Sequence, residues 1–194
     1  KLAEAQRLGA AGIQVGTAFA FCEESGIAPE WKRAVLGALR AGLARVFTDP
    51  LASPTGFPFK IATVPGTLSE AGVYAARERI CDLGFLRQLY RRIDGSLGYR
   101  CAGEPVADFL RKGGELAETV GRKCLCNGLA ATVGLGQTRD GVPEPALVTA
   151  GNELVELARL FRAGAYSYTA ADVLNYLRGV VGGTGGLPMV VEAL

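Results

Sequence analysis

Histidine is absent from this chain. No Ser-His-Asp triad or Cys-His dyad can be completed within it, and a metal held by imidazole is excluded for the same reason. Long apolar runs are also missing. A helix crossing a bilayer needs about eighteen or more such residues in succession, and none occurs, so no membrane partner is expected. Nor does one sign of charge prevail: 21 Lys and Arg stand against 19 Asp and Glu, a net charge of +2. Nucleic-acid binders usually carry a basic stripe. The densest basic group here, "RQLYRR" with "RERI" before it, has acids close by and reads as a solvated helix face, so no nucleic acid is expected either. Cysteine is sparse and odd in number, five in all, with two forming C-x-C. That usage fits reduced thiols in a cytoplasm better than a secreted disulfide framework. No signal peptide is visible, although the chain does not open with methionine.

What is present is enough apolar material for one domain with an appendage: 194 residues, 49% of them hydrophobic, at a mean hydropathy of +0.22. "KLAEAQRL" reads as a helix stopped by Gly9, "AGIQV" as a short buried strand, and "GTAFAFCEES" as a loop turning into a helix. "PEWKRAVLGALRAG" has Trp31, Val35, Leu36 and Leu39 on one face, Pro29 in the first turn and Gly42 as a stop. "ARVFTD" reads as the next strand. "DPLASPTGFPFK" packs Pro50, Pro54, Gly56 and Pro58 together, which only a shaped loop tolerates, and "KIATV" reads as its extended exit.

From about Thr67 the pattern turns helical. "TLSEAGVYAARERI", "CDLGFLRQLYRR", "EPVADFLRKGG" and "TVGRKCLCNGLAATVGL" read as short helices split by glycine turns, with "IDGSLGYRC" as a turn and a brief extended piece. "QTRDGVPEP" reads as a linker-like loop. "NELVELARLFRAG" and "TAADVLNYLRG" read as helices with Asn152 and Thr169 as N-caps and Gly164 and Gly179 as stops. The Gly-rich end reads as a loose tail. Three regions are expected: 1–66, the end of an α/β domain; 67–180, a helical Cys-containing extension; and 181–194, the tail.

Within "GIQVGTAFAFCEES", a strand that turns sharply into a helix leaves backbone N–H groups pointing outward, a geometry suited to an anion. Gly16 permits close approach and Thr17 adds a hydroxyl. A plain strand-to-helix turn is the alternative. The longer stretch "LGAAGIQVGTAFAFCEESGI" resembles the segment around the last barrel strand of the nitronate monooxygenase family, formerly the 2-nitropropane dioxygenases. It is also similar to that of the related FMN-dependent enoyl reductases. "ARVFTDPLASPTGFPFK", "YRC", "GRKCLCNGLAATVGL" and "YTAADVLNYL" resemble the C-terminal extension of a bacterial subgroup, so the similarity runs to about Gly179.

The resemblance implies the C-terminal part of an FMN-binding (β/α)8 TIM barrel followed by a mainly helical extension. It implies that Gln14, Val15, Gly16 and Thr17 hold the FMN phosphate, with Ala18 standing where many relatives have arginine. It implies oxidation of an alkyl nitronate with O2 to a carbonyl compound and nitrite, in the cytoplasm. The catalytic base, the other strands and most contacts to the flavin ring are expected from a missing N-terminal barrel portion. The proline loop, with Phe57 and Phe59, resembles the family's loop toward the substrate mouth; a structural surface loop is the alternative.

Cys81, Cys101, Cys124 and Cys126 form C-x19-C-x22-C-x-C. Four thiolates can hold Zn²⁺ or an iron–sulfur cluster, as a metal or redox module. Against that, "GRKCLCNGL" reads as helical, which would send its two thiols to different sides. Free, largely buried thiols are the alternative. Cys22 reads as core packing.

Overall fold

The computed structural model describes residues 2–161 and 164–179. The chain divides into two compact units. One joins the described residues up to Arg45 to those from Ala150 onward; the other is Val46–Thr149. The boundary expected at residue 66 falls inside the second unit, and the tail expected over 181–194 lies outside the described residues.

The first unit is helical. It holds α1 (Leu2–Arg7), α2 (Thr17–Ala20), α3 (Pro29–Arg40), a 3₁₀ helix (Asn152–Leu160) and α8 (Ala170–Arg178). Gly9 ends the first helical segment at φ +89°, where only a residue without Cβ sits easily. In α3, Val35, Leu36 and Leu39 are buried as their spacing predicts. The expected strand over 11–15 does not form: these residues run irregularly, largely exposed and with no strand partner. A strand needs a neighbour to satisfy its ladder groups, and these residues have none among those described. The helix expected from "NELVELARL" is 3₁₀ rather than α, with Gly151 and not Asn152 at its N-cap. Its buried residues Leu154, Leu157 and Leu160 recur every third position, which at three residues per turn puts them on one line. In α8 the Thr169 hydroxyl accepts from the Asp172 amide while the Asp172 carboxylate accepts from the Thr169 amide, closing a capping box. Gly179 at φ +72° is its left-handed cap.

In the second unit all strand pairs among the described residues are antiparallel, in three two-stranded sheets; these residues form no barrel. β1 (Val46–Asp49) pairs with β2 (Phe59–Ala62). The proline loop joining them is a shaped loop, as expected. Asp49 Oδ1 accepts from the amides of Leu51 and Ala52 at 3.0 and 2.9 Å. Arg122 then binds the carbonyls of Leu51 and Ser53 at 2.8 and 2.6 Å. After α4 (Ala71–Ala76) come β3 (Gln88–Arg91) and β4 (Leu97–Arg100), paired as a hairpin.

The helix expected from "CDLGFLRQLYRR" is therefore overturned. Gly84 at φ +69° breaks it, and the turn at Asp94–Gly95 brings Gln88 opposite Arg100. Next are α5 (Val106–Arg111), α6 (Leu116–Thr119) and α7 (Cys126–Thr132). The expected linker "QTRDGVPEP" contains a small hairpin, β5 (Thr138–Arg139) and β6 (Val142–Pro143), turning on Asp140 and Gly141 at positive φ. Ile61, Leu68, Leu125 and Leu147 make the core, with Phe59, Val73, Tyr74, Leu86 and Leu129 packed against it. Beside the core lies a buried ion pair, Arg77 to Glu144 at 2.5 Å.

Candidate functional site

Two places concentrate the residues that the sequence singles out, one in each unit. In the first, Gln14 and Gly16 are exposed, and Val15 and Thr17 are half-buried. Thr17 Oγ1 accepts from the amide of Gly151 at 2.8 Å, which fixes where the hydroxyl stands and leaves its proton free to donate. A Cβ on Gly151 would lie 3.1 Å from that oxygen and 2.5 Å from Glu153 Oε2, so a larger residue would require the Glu153 side chain to turn aside and Thr17 to shift by a few tenths of an ångström. Among the described residues, the amides of Gly16, Thr17 and Ala18 donate to no protein acceptor. Three amides and one hydroxyl are a donor set that suits phosphate oxygens. No basic side chain is interleaved with them, since position 18 is alanine. The residues fit one edge of a phosphate site and supply no catalytic base.

Behind this stretch the packing is firm. Tyr168 is buried and its hydroxyl donates to the Ala18 carbonyl at 2.8 Å. Lys32 donates to the carbonyls of Cys22, Glu23 and Ser25 at 3.3, 2.8 and 3.1 Å, closing the turn after α2. Cys22 is buried, as expected for core packing, and burial pushes its thiol up, with the neighbouring Glu24 carboxylate adding to the effect.

The second place holds the other cysteines, and here one sequence expectation is overturned. "GRKCLCNGL" is not one continuous helix: α7 begins at Cys126, and Cys124 precedes it. The two thiols therefore flank the entry to a helix, with the buried Leu125 between them anchored in the core. The segment carrying Cys81 meets this entry. The carbonyl of Ile80 accepts from Asn127 Nδ2 at 3.1 Å and from Cys124 Sγ at 3.7 Å. The Cys101 segment meets it too, because Gly103 lies flush against the Lys123 carbonyl.

The Cys81 thiol, in contact with that of Cys101 and beside the Arg87 guanidinium, is drawn down to about 6 despite burial. Its partner Cys101 is pushed up by that same contact and by burial, with the Gly103 amide pulling the other way. Burial raises Cys124 as well, the charges of Cys81 and Cys126 add to it, and Arg77 opposes. As the side chains stand, no three Cys, His, Asp or Glu groups among the described residues are arranged to hold a metal ion.

The proline loop offers less. Phe57 is 72% exposed, and Phe59 packs on the core cluster. These two rings do not wall a common pocket. The buried Arg77–Glu144 pair went unforeseen, since nothing in the local pattern links the two residues. No helix among the described residues is long and apolar enough to cross a membrane. Comparison with protein-family models, with curated proteins and with solved structures finds no match to this chain.

Proposed function

We propose that the chain supplies one edge of the phosphate site in an FMN-dependent oxidoreductase of nitronate monooxygenase type. The observation that carries the reading is the donor set at Gly16, Thr17 and Ala18, whose amides donate to no protein acceptor among the described residues. It falls on the residues whose order, "GIQVGT", resembles the FMN-phosphate segment of that family. The reading requires the remaining barrel strands, a Gly-rich turn and the catalytic base from polypeptide outside this sequence.

FMN, when bound, would carry the electrons from an alkyl nitronate to O2, giving a carbonyl compound and nitrite. This chain's part is to bind and orient. The amides of Gly16 to Ala18 would donate to phosphate oxygens. Thr17 would add a hydroxyl whose position is set by Gly151 and, behind it, by the wall built on Tyr168. With alanine at position 18, charge compensation there falls to main-chain dipoles, whose geometry does not depend on a flexible side chain.

The test is made on the full-length protein that contains this segment. It should be purified yellow, release nitrite from an alkyl nitronate under O2, and lose FMN when Thr17 becomes Val. A hydrogen bond to a charged group contributes about 1.5–3 kcal/mol, so FMN should bind roughly 10- to 100-fold more weakly. Thr17→Ser keeps the donor and should restore binding. Reduction of an enoyl thioester without nitrite release would move the assignment to the enoyl reductases. A flavin retained unchanged by Thr17→Val would refute the phosphate role.

A further inference from the structure

The four cysteines of the second unit are not among the residues proposed to hold FMN, and the fold brings the segments that carry them together from three separate stretches of chain. We propose that Cys81, Cys101, Cys124 and Cys126 close on a single Zn²⁺ ion as an all-thiolate structural site, pinning the base of the β3–β4 hairpin to the entry of α7.

The backbone carries the first part of the argument. Ile80, next to Cys81, takes hydrogen bonds from Cys124 Sγ and from Asn127, next to Cys126. Gly103, two residues past Cys101, touches the carbonyl of Lys123, next to Cys124. Cys101 also sits in a tight turn, where the Glu104 amide donates to the Cys101 carbonyl at 2.9 Å.

The hairpin supplies the second part. It is bracketed by two of the cysteines, Cys81 before β3 and Cys101 directly after β4. Its pairing is two-stranded, and Leu89, Leu97 and Tyr99 are 61, 59 and 58% exposed. An isolated hairpin of two strands is marginally stable in water. Arg100 binds the Lys112 carbonyl at 3.3 Å and lies over the Phe109 ring, but the hairpin has no apolar face of its own in the core. A metal crosslink at its base would provide the missing constraint, as structural zinc does in domains with small cores.

The surroundings of the cluster are the third part. Glu104 and Asn127 are 2% and 1% exposed, and Glu104 Oε1 and Asn127 Oδ1 have no hydrogen-bond partner. A four-coordinate zinc held by sulfur alone would not ligate these two oxygens, which ordered water would satisfy. Arg77 stands 4.0 Å from Cys124 Sγ, and Arg87 binds the Cys81 carbonyl. Arg87 offsets part of the negative charge that four thiolates keep after one divalent ion has bound, whereas the charge of Arg77 is already matched by Glu144. As the side chains stand no three of the thiols are arranged to hold a metal ion, so binding requires them to turn about their single side-chain bond onto a common centre. Each protonated thiol that coordinates gives its proton to solvent. With no histidine in the chain, the ligand set is sulfur alone, which suits Zn²⁺.

The test uses the full chain, purified under reducing conditions without a chelator or a polyhistidine tag. Elemental analysis should find about one zinc per chain, and loading with Co²⁺ in place of zinc should give the intense near-ultraviolet sulfur-to-metal bands of a tetrahedral thiolate site. C101S and C126S should each lower metal content and move those bands, whereas C22S, in the other unit, should change neither. If a variant does not fold, the Co²⁺ spectrum of the unaltered chain still decides. A folded, reduced chain that binds no Co²⁺ would overturn the proposal. So would iron with acid-labile sulfide in place of zinc, or a Cys81–Cys101 disulfide that persists in the purified reduced protein. None of these outcomes depends on whether the flavin reading is right.

Discussion

Gly103 is a position where a single added methyl group should be costly for its size. An ideal Cβ there would lie 2.4 Å from the Lys123 carbonyl oxygen, 2.9 Å from its carbon and 2.9 Å from Pro54 Cγ. Ordinary contact begins at 3.4 Å, so the two backbones must separate by about 1 Å. No side chain can turn aside to relieve this, because the obstacle is main chain. That carbonyl is held from both sides: the Lys123 amide donates to Ala52 at 2.9 Å and the Cys124 amide to the Tyr74 hydroxyl at 3.1 Å. Overpacking costs about 1–3 kcal/mol, and the fixed backbone places Gly103→Ala at the upper end, about 3 kcal/mol. For a chain of this length each kcal/mol moves Tm by roughly 2–4 °C, so a fall of about 6–12 °C is expected in a thermal melt under reducing conditions. Gly37→Ala is the matched control. Gly37 lies within α3 with nothing within 4 Å of the added methyl, so the same change should stabilise by about 0.5–1 kcal/mol. Opposite signs for the two variants are the expected result. If Gly103→Ala melts within about 2 °C of the parent, the Cys101 and Cys124 segments are not in contact, and the convergence argued above fails with it.

Glu144→Ala should destabilise by about 3–5 kcal/mol in urea, because it leaves Arg77 buried and unpaired at 4% side-chain exposure. Replacing both partners with apolar residues of similar size should recover most of that loss. Thr169→Ala removes the hydroxyl cap of α8 and should cost about 0.5–2 kcal/mol, with Thr169→Ser recovering it. Burial raises the Tyr168 phenol above its ordinary value. The unfolded chain therefore loses this proton first, near pH 10. The stability held by the neutral phenol is complete below that point and falls as pH rises through and beyond it. Tyr168→Phe should flatten the alkaline fall of the urea midpoint, and an unchanged slope would count against the burial of this hydroxyl.

How far the sequence reaches depends on whether an element carries its own boundary signals. α3 and α8 were legible because apolar spacing, a starting residue and a left-handed stop coincide in each. "CDLGFLRQLYRR" reads as a helix because its leucines recur at near-helical spacing, while the deciding interaction, Gln88 with Arg100, is supplied by the chain beyond Asp94–Gly95. The 3₁₀ helix shows a finer failure. Leu154, Leu157 and Leu160 satisfy a period of three as well as part of a period of 3.6, so apolar pattern alone does not separate the two.

The candidate sites divide along the same line. The "GIQVGT" stretch is contiguous, so its donors could be named from sequence. What fixes Thr17, however, is the amide of Gly151, 134 residues away, and no local pattern reports it. For the cysteines one boundary decides. Carrying the helix back through Cys124 sends its thiol away from that of Cys126; starting it at Cys126 lets both flank one turn. The available sign was Gly121, at φ +72°, which marks a chain reversal just before this segment. A glycine stop there, with Leu125 buried in the core, leaves Cys124 and Cys126 to face what approaches the helix entry. The chain that approaches carries Cys81 on one side and the Cys101 turn on the other. Spacing in the sequence shows the number of thiols; the placement of a single helix start determines whether they can act together.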